Sequence, residues 1–499
     1  MDKFLKINLV QIMGDSFANR SESRKKILDY LSRAVKNMPD IVVFPECSFP
    51  SYALADWNEE VNVECLSLIE ELKEQARKNN CYLVIGLPEA SYDGTTLKKM
   101  HNALYVINPL GEIEVIAHKQ LLWHFDSKWF DSDKRSAYFD TKWGRIGLMI
   151  CADGRAPEIV SSLKLLGCRL ILNGTNWVTS GADPERLSNP QADYLMSVRA
   201  REQEIWIASA NKVGMEDGFI VFCGKSMVTS PSGEIMIVAS SNKEEIVEYM
   251  LPLCDGEIDV PQKELCDIES DMEFDIGGID QSSDCPRKSI YVSVAKVCTV
   301  NDFKAEICAL LRKIDIMDVD FAVVNVKTKN LSVRVKEELE NIEIDANLEL
   351  VLNVNDSSGN KTFHIFNGSI QVIDKATLFK GNNLRLGIVF EQQGIKPHRI
   401  RTMVVNGMDA LLWYYDGKEE MYKDIVRARA MESRIFVLAV DVNGEATSLI
   451  CGPDGNIMCE SFFGGNQIIA TYLDLALSDR KIVVPGTDIE KSLAKYRIV

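Results

Sequence analysis

The chain has 499 residues, of which 46% are apolar and 26% charged, and a formal net charge of −17 at pH 7. Its length exceeds one ordinary core and predicts two or three domains, with the composition of a soluble globular protein. The acidic balance offers no basic stripe to neutralise phosphates, which argues against a nucleic-acid partner.

The first half alternates short β-branched runs with amphipathic helical patterns. FLKINLVQI from Phe4 reads as a strand, RSESRKKILDYLSRAVKN from Arg20 as a helix and DIVVFPE from Asp40 as a strand. A helix follows over NVECLSLIEELKEQARKNN from Asn62, then a strand over CYLVIGLPEA from Cys81. HNALYVINPLGEIEVIAHK from His101 reads as a hairpin turning at Pro109-Leu110-Gly111. GRIGLMIC, ending at Cys151, is a buried strand whose period becomes helical after Pro157. Such strands belong to an α/β fold and are covered on at least one face.

The pattern then repeats. Arg145, Gly147, Cys151, Pro157 and Gly167 stand opposite Arg385, Gly387, Glu391, Pro397 and Gly407 at a constant offset (391 − 151 = 240). Segments from Arg199, Ser226 and Glu244 align with segments from Arg429, Ser448 and Asn466, and Asp40 with Asp320. The chain therefore reads as a duplicated unit of roughly 250 residues, residues 1–253 and 289–499, joined by an acidic linker over 254–288 with few apolar residues.

No apolar run reaches signal-peptide or membrane-spanning length, so no membrane partner is expected. The thirteen cysteines form no C-x-x-C pair and the five histidines lack ligand spacing, which points to a reducing cytoplasm and to no metal site. No Walker loop or strand-borne G-x-G-x-x-G supports a nucleotide cofactor.

Three strand ends in the first half carry reactive groups: Glu46, Lys119 and Cys151. Such groups gather at the carboxyl ends of α/β strands. Together they suffice for acyl transfer. The thiol attacks as thiolate, favoured by Lys119 and by a helix N-terminus just after Cys151. The carboxylate takes the proton and later activates water; the ammonium and the Ala152 N–H stabilise the oxyanion. The bland readings are a buried apolar cysteine and two solvated charges.

The joint pattern resembles the nitrilase superfamily of carbon–nitrogen hydrolases, in VVFPE with Glu46, HK with Lys119, CADGRAPE from Cys151, NPQADYLMSVRAREQEIWIASANKVG and GKSMVTSPSGEI. The resemblance implies four-layer αββα sandwich domains, here two packed as an internal pseudo-dimer with further homo-oligomers left open. It also implies a Glu46-Lys119-Cys151 triad, a thioester released by water and no metal or organic cofactor. Ala152-Asp153 after the cysteine favours a small-molecule amide or carbamoyl substrate over a nitrile. Members carry a second glutamate after the lysine; here its place falls at Ser127, with Asp126, Asp131 and Asp133 as substitutes. Arg155 is expected either to grip a substrate carboxylate or to pair with Asp153 or Glu158. Tyr52, Asn176 and Trp177 lie on loops that line the pocket in relatives, or pack as ordinary loop residues.

In the second copy Val326 replaces Glu46 and Glu391 replaces Cys151, while Lys375 stands opposite Lys119. That half is expected to be catalytically inactive. The competing readings are nitrile hydrolysis, acyl transfer to an amine, and a non-catalytic scaffold.

Overall fold

The computed structural model describes residues 4–54, 56–179, 186–253, 273–275, 289–300, 302–328, 335–356, 359–382, 384–444, 446–462, 466–484 and 487–489. The chain divides into two compact units, Met1–Gln262 with Val484–Thr487, and Lys263–Val483 with Asp488–Val499. The first unit thus takes in a four-residue segment that interrupts the second unit in the chain.

The first unit holds two six-stranded sheets. One is built from β1 (Leu5–Gln11), β2 (Ile41–Val43), β3 (Tyr82–Asp93), β4 (Thr96–Ile107), β5 (Ile113–His118) and β14 (Glu245–Leu251), in the order β14-β1-β2-β3-β4-β5. The other contains β6 (Ala137–Thr141), β7 (Gly144–Ile150), β8 (Cys168–Thr175), β9 (Trp206–Asn211), β12 (Met227–Thr229) and β13 (Ile235–Val238), in the order β13-β12-β9-β8-β7-β6. A small hairpin of β10 (Val213–Glu216) and β11 (Ile220–Cys223) stands beside them. In each sheet the central three strands run parallel, β1-β2-β3 and β7-β8-β9. Their carboxyl ends therefore open on one edge.

Helices α1 (Arg20–Ala34) and α2 (Glu59–Asn79) cover the first sheet; α3 (Pro157–Leu165) and α4 (Met196–Gln203) pack on the second. In α2 the buried residues Val61, Cys65, Leu68, Ile69, Leu72 and Ala76 recur at helical spacing. Asn58 caps the helix by accepting from the Val61 N–H at 3.1 Å. Each fully buried leucine or isoleucine there contributes roughly 1.5–3 kcal/mol. The β4–β5 hairpin closes where expected: Asn108 Oδ1 accepts from the N–H groups of Leu110 and Glu112, both at 3.0 Å, and Gly111 supplies the positive φ of 74°.

The second unit repeats this plan. β16 (Ser289–Val300), β17 (Phe321–Thr328), β18 (Glu349–Asp356), β19 (Gly359–Phe366), β20 (Ser369–Ile373) and β27 (Gln467–Asp474) follow the order β20-β19-β18-β17-β16-β27. β15 (Glu273–Asp275), β21 (Thr377–Lys380), β22 (Arg385–Phe390), β23 (Ala410–Tyr415), β24 (Phe436–Asp441), β25 (Leu449–Cys451) and β26 (Ile457–Glu460) form the other sheet in that sequence. Its helices are α5 (Phe303–Ile316), α6 (Val335–Leu339), α7 (Pro397–Val405) and α8 (Tyr422–Ser433). The described counterpart of the 21-residue α2 is the five residues of α6. Most of the acidic segment 254–288 lies outside the described residues, but Glu273–Asp275 within it adds to the sheet edge, pairing in parallel with β21. An open strand edge accepts a backbone whatever its side chains, which composition does not reveal.

Candidate active site

Glu46 follows β2, where the chain crosses β3 at close range. A Cβ on Gly86 would lie 2.5 Å from Glu46 Cα, Cys47 N and Pro45 O, so only glycine admits this crossing. Lys119 follows β5. Both side chains are fully buried, and Lys119 Nζ is 2.7 Å from Glu46 Oε1 and 2.6 Å from Asp126 Oδ2. Glu46 Oε1 also accepts from Asn102 Nδ2 at 2.6 Å. Burial opposes the Lys119 charge, yet the Asp126 and Glu46 carboxylates hold its pKa well above the ordinary value. An ammonium has three N–H donors, and two point at these carboxylates.

Cys151 follows β7 with a φ of 49°, a left-handed conformation uncommon for a side-chain-bearing residue. This elbow lifts the thiol off the strand end, and its N–H donates to Asn173 Oδ1 at 3.0 Å. A 3-10 turn over Cys151–Arg155 follows, and α3 begins only at Pro157. The expected helix N-terminus directly after the cysteine is replaced by this turn because Asp153 folds back. Its Oδ2 accepts from Ile150 N–H at 3.0 Å, and its Oδ1 from Gln120 N–H at 3.0 Å and Leu121 N–H at 2.7 Å. Asp153 thereby ties the elbow to the chain leaving Lys119. Burial raises its carboxyl to about 7, against the pull of those N–H groups.

Burial, and then the Glu46 charge, push the Cys151 thiol up to about 12, with Lys119 acting in the other direction. The sulfur rests as a thiol at neutral pH, contrary to the thiolate that the charge pattern predicts. The main reason is burial of the sulfur, reinforced by the Glu46 charge; Lys119, shared between two carboxylates, offsets only part of it.

The acids of the loop after Lys119 are placed differently. Ser127 is exposed, whereas Asp126 is fully buried. Asp126 meets Lys119 and also accepts from Tyr52 OH at 2.7 Å and from Trp123 N–H at 2.9 Å. Asp131 instead accepts from Met100 N–H at 3.3 Å, and Asp133 engages His118 and Arg135. Tyr52 thus joins the cluster through its hydroxyl.

Ala152 is buried beside the elbow. The Arg155 guanidinium lies 4.0 Å from the centroid of the Trp123 ring. Burial lowers its pKa to about 10, which leaves it charged at neutral pH. The backbone N–H groups occupy both oxygens of Asp153. The Cys151 thiol lies 3.8 Å from Asn176 O. Asn176 Nδ2 and Oδ1 and Glu46 Oε2 are buried with no hydrogen-bond partner among the described residues. Trp177 is fully buried; its N–H donates to Asn211 Oδ1 at 2.8 Å. With its side-chain amide assigned in the orientation that satisfies both neighbours, Gln191 bridges it to the elbow, its nitrogen donating to Cys151 O at 2.8 Å and its oxygen accepting from Trp177 Nε1 at 3.0 Å.

Several of these residues escape the sequence reading: Asn102, Asn173, Gln191 and a second buried ion pair, Lys212 Nζ to Glu216 Oε2 at 2.6 Å. Glu216 Oε1 accepts from Tyr52 N–H at 2.5 Å, so this pair anchors the tyrosine loop. Their signal was a polar residue at an inward position of an apolar run.

Strand pairing fixes the equivalent place in the second unit. Gly147 pairs with Ile171 and Gly387 with Leu411, so Trp413 occupies the position of Asn173. Glu391 repeats the elbow with a φ of 47°, and its carbonyl accepts from Trp413 Nε1 at 2.8 Å. The Trp413 ring fills the space so tightly that a Cβ on Gly394 would come within 2.2 Å of it. Val326 is buried and Lys375 exposed.

Among the described residues, no group of His, Cys, Asp or Glu could hold a metal ion and no helix is long and apolar enough to cross a membrane. Cys47, Cys65, Cys81, Cys151, Cys168, Cys223, Cys308, Cys451 and Cys459 are free thiols.

Residues 6–259 match the family model described as carbon-nitrogen hydrolase. A nitrilase from Pyrococcus abyssi is 28% identical over 253 residues, covering 48% of this chain and 87% of the relative. An omega-amidase from Mus musculus is 25% identical over 257 residues, covering 49% of this chain and 87% of the relative. An amidase from Nesterenkonia sp. is a similar solved structure, with 21% identity, a TM-score of 0.45, and coverage of 54% of this chain and 96% of the other.

Proposed function

The chain belongs to the carbon–nitrogen hydrolase family and is a hydrolase; from that premise we propose that its first unit cleaves the C–N bond of a small amide or carbamoyl compound through a Cys151 thioester. The observation that carries the reading is the arrangement of Glu46. One oxygen is committed to Lys119 and Asn102, while the other, buried and unpartnered, is available as a base. A buried carboxylate oxygen without a partner costs roughly 1–3 kcal/mol, a cost a substrate-bound state relieves.

In the first step Glu46 Oε2 takes the Sγ proton as sulfur forms a bond to the carbonyl carbon. The carbonyl oxygen becomes an oxyanion, met by the third N–H of Lys119 and by the elbow backbone after Cys151. Collapse breaks the C–N bond, and the leaving nitrogen takes its proton from Glu46. Water then gives a proton to Glu46 and its oxygen adds to the thioester. Collapse breaks the C–S bond, and Glu46 returns the proton to sulfur. A thiol resting near 12 suits this order, since the base need act only with the acceptor carbon in place. Asp126 keeps Lys119 charged and shares its N–H donors with Glu46. Arg155 holds an acidic group of the substrate, and Asn176 offers a donor and an acceptor to its amide. The second unit, with Glu391 and Val326 in the places of the nucleophile and the base and with Trp413 filling the site, is catalytically inactive.

The test is a panel of amides, carbamoyl compounds and nitriles offered to the full chain and to Cys151→Ala. Turnover by the native chain with none by the folded variant supports the reading. Undiminished turnover in Cys151→Ala, or no turnover and no fast alkylation of Cys151 in the native chain, would sink it.

A further inference from the structure

One hydroxyl far along the chain grips the loop that carries Asp126. Val484–Thr487 belongs to the first compact unit although both of its flanks in sequence, Val483 and Asp488, belong to the second. Thr487 is buried, and its Oγ1 donates to Leu122 O at 3.0 Å and accepts from His124 N–H at 3.0 Å. Both capacities of the hydroxyl are thus used on the two residues flanking Trp123. Trp123 in turn touches both sides of the site. Its N–H donates to Asp126 Oδ2 at 2.9 Å and its ring stacks with Arg155 at 4.0 Å. His124 sits at a φ of 50°, a left-handed conformation that a side-chain-bearing residue adopts only when its surroundings hold it there.

We propose that Thr487 is a positioning residue of the hydrolase site: it latches the Leu122–His124 stretch and so holds Asp126 against Lys119 and Trp123 against Arg155. The inference rests on the amide-hydrolase reading above. If the latch opens, Asp126 drifts from Lys119, and Glu46 alone must neutralise the ammonium. Lys119 and Glu46 then lose the contact that fixes their positions beside Cys151, while the triad residues themselves are unchanged. The effect falls on the chemical step and on substrates that use Arg155.

The experiment uses full-length Thr487→Val and Thr487→Ser and the amide reagent iodoacetamide, with alkylation of Cys151 followed by peptide mass spectrometry. Valine keeps the shape and loses the hydroxyl; serine keeps the hydroxyl and loses the methyl. The latch predicts that Thr487→Val slows Cys151 alkylation about tenfold while Thr487→Ser stays within about twofold of native, both melting within a few degrees of the native chain. Packing by the methyl group predicts the reverse order. A Val variant as fast as native, or a Ser variant as slow as Val, overturns the proposal. Cys151 of the native chain reacting no faster than the buried Cys223 would instead overturn the hydrolase reading, so the two failures are distinguishable.

Discussion

Asp126 Oδ2 lies 2.6 Å from Lys119 Nζ, one residue before the exposed Ser127 at which family spacing places an acid. The 3-10 turn over His124–Lys128 sets which of the two side chains points inward. Asp126→Asn is expected to lower turnover by about 10²-fold with the fold intact, and Ser127→Ala to leave it unchanged. Steady-state rates of both variants on one hydrolysed amide check this; a larger loss at Ser127 than at Asp126 refutes it.

Arg155 remains cationic at neutral pH while stacked on Trp123. Arg155→Lys keeps the charge but loses the planar fork and the stacking face. KM for acidic amides should rise about tenfold or more, against little change for neutral ones. Equal losses on both classes would assign Arg155 to structure alone.

The Lys212–Glu216 pair should matter for stability first. Glu216→Gln leaves a buried ammonium without its counter-charge, which costs about 3–5 kcal/mol. The double variant Lys212→Met, Glu216→Gln should recover much of that. Urea unfolding of the three proteins measures it, and a Glu216→Gln cost under about 1 kcal/mol contradicts the assignment.

Glu391→Cys in a Cys151→Ala background should restore neither turnover nor rapid alkylation. The elbow is preserved there, but Val326 supplies no base and Trp413 fills the position of Asn173. Any catalysis in that protein shows that the second unit keeps more of a site than its residues indicate.

Cys65 on α2 is pushed up to about 12 by burial, from an ordinary value near 9. Its folded pKa is raised, so its contribution to stability is fully present below about 9 and is lost as pH rises toward 12. Unfolding free energy should fall across that window, and less steeply in Cys65→Ala. Parallel slopes would show that the thiol is not a source of the alkaline loss.

Much of the fold was legible because its signals are local. The strand and helix periods survive in both copies, and the constant offset from Arg145 to Gly167 persists because the elbow and α3 tolerate no insertion. Glu46, Lys119 and Cys151 were findable as polar groups ending apolar strands, and they lie together. The turn after Cys151 was not legible, since Asp153 folds back onto Gln120 and Leu121, groups 33 and 32 residues away. Nor could three aspartates in one aperiodic loop be ranked before the turn showed which faced inward. Asn102, Asn173 and Glu216 were visible only as polar interruptions of buried runs.

The Thr487–Leu122 hydrogen bond spans 365 residues of chain. Contacts that distant close late, because the intervening chain must be ordered before the ends can meet. Glu46 and Lys119 are 73 residues apart and Asp153 and Gln120 only 33, so the reactive cluster can assemble on a much shorter timetable. On refolding, the tether is therefore expected to close after the reactive cluster, so that recovery of activity lags recovery of the sheets.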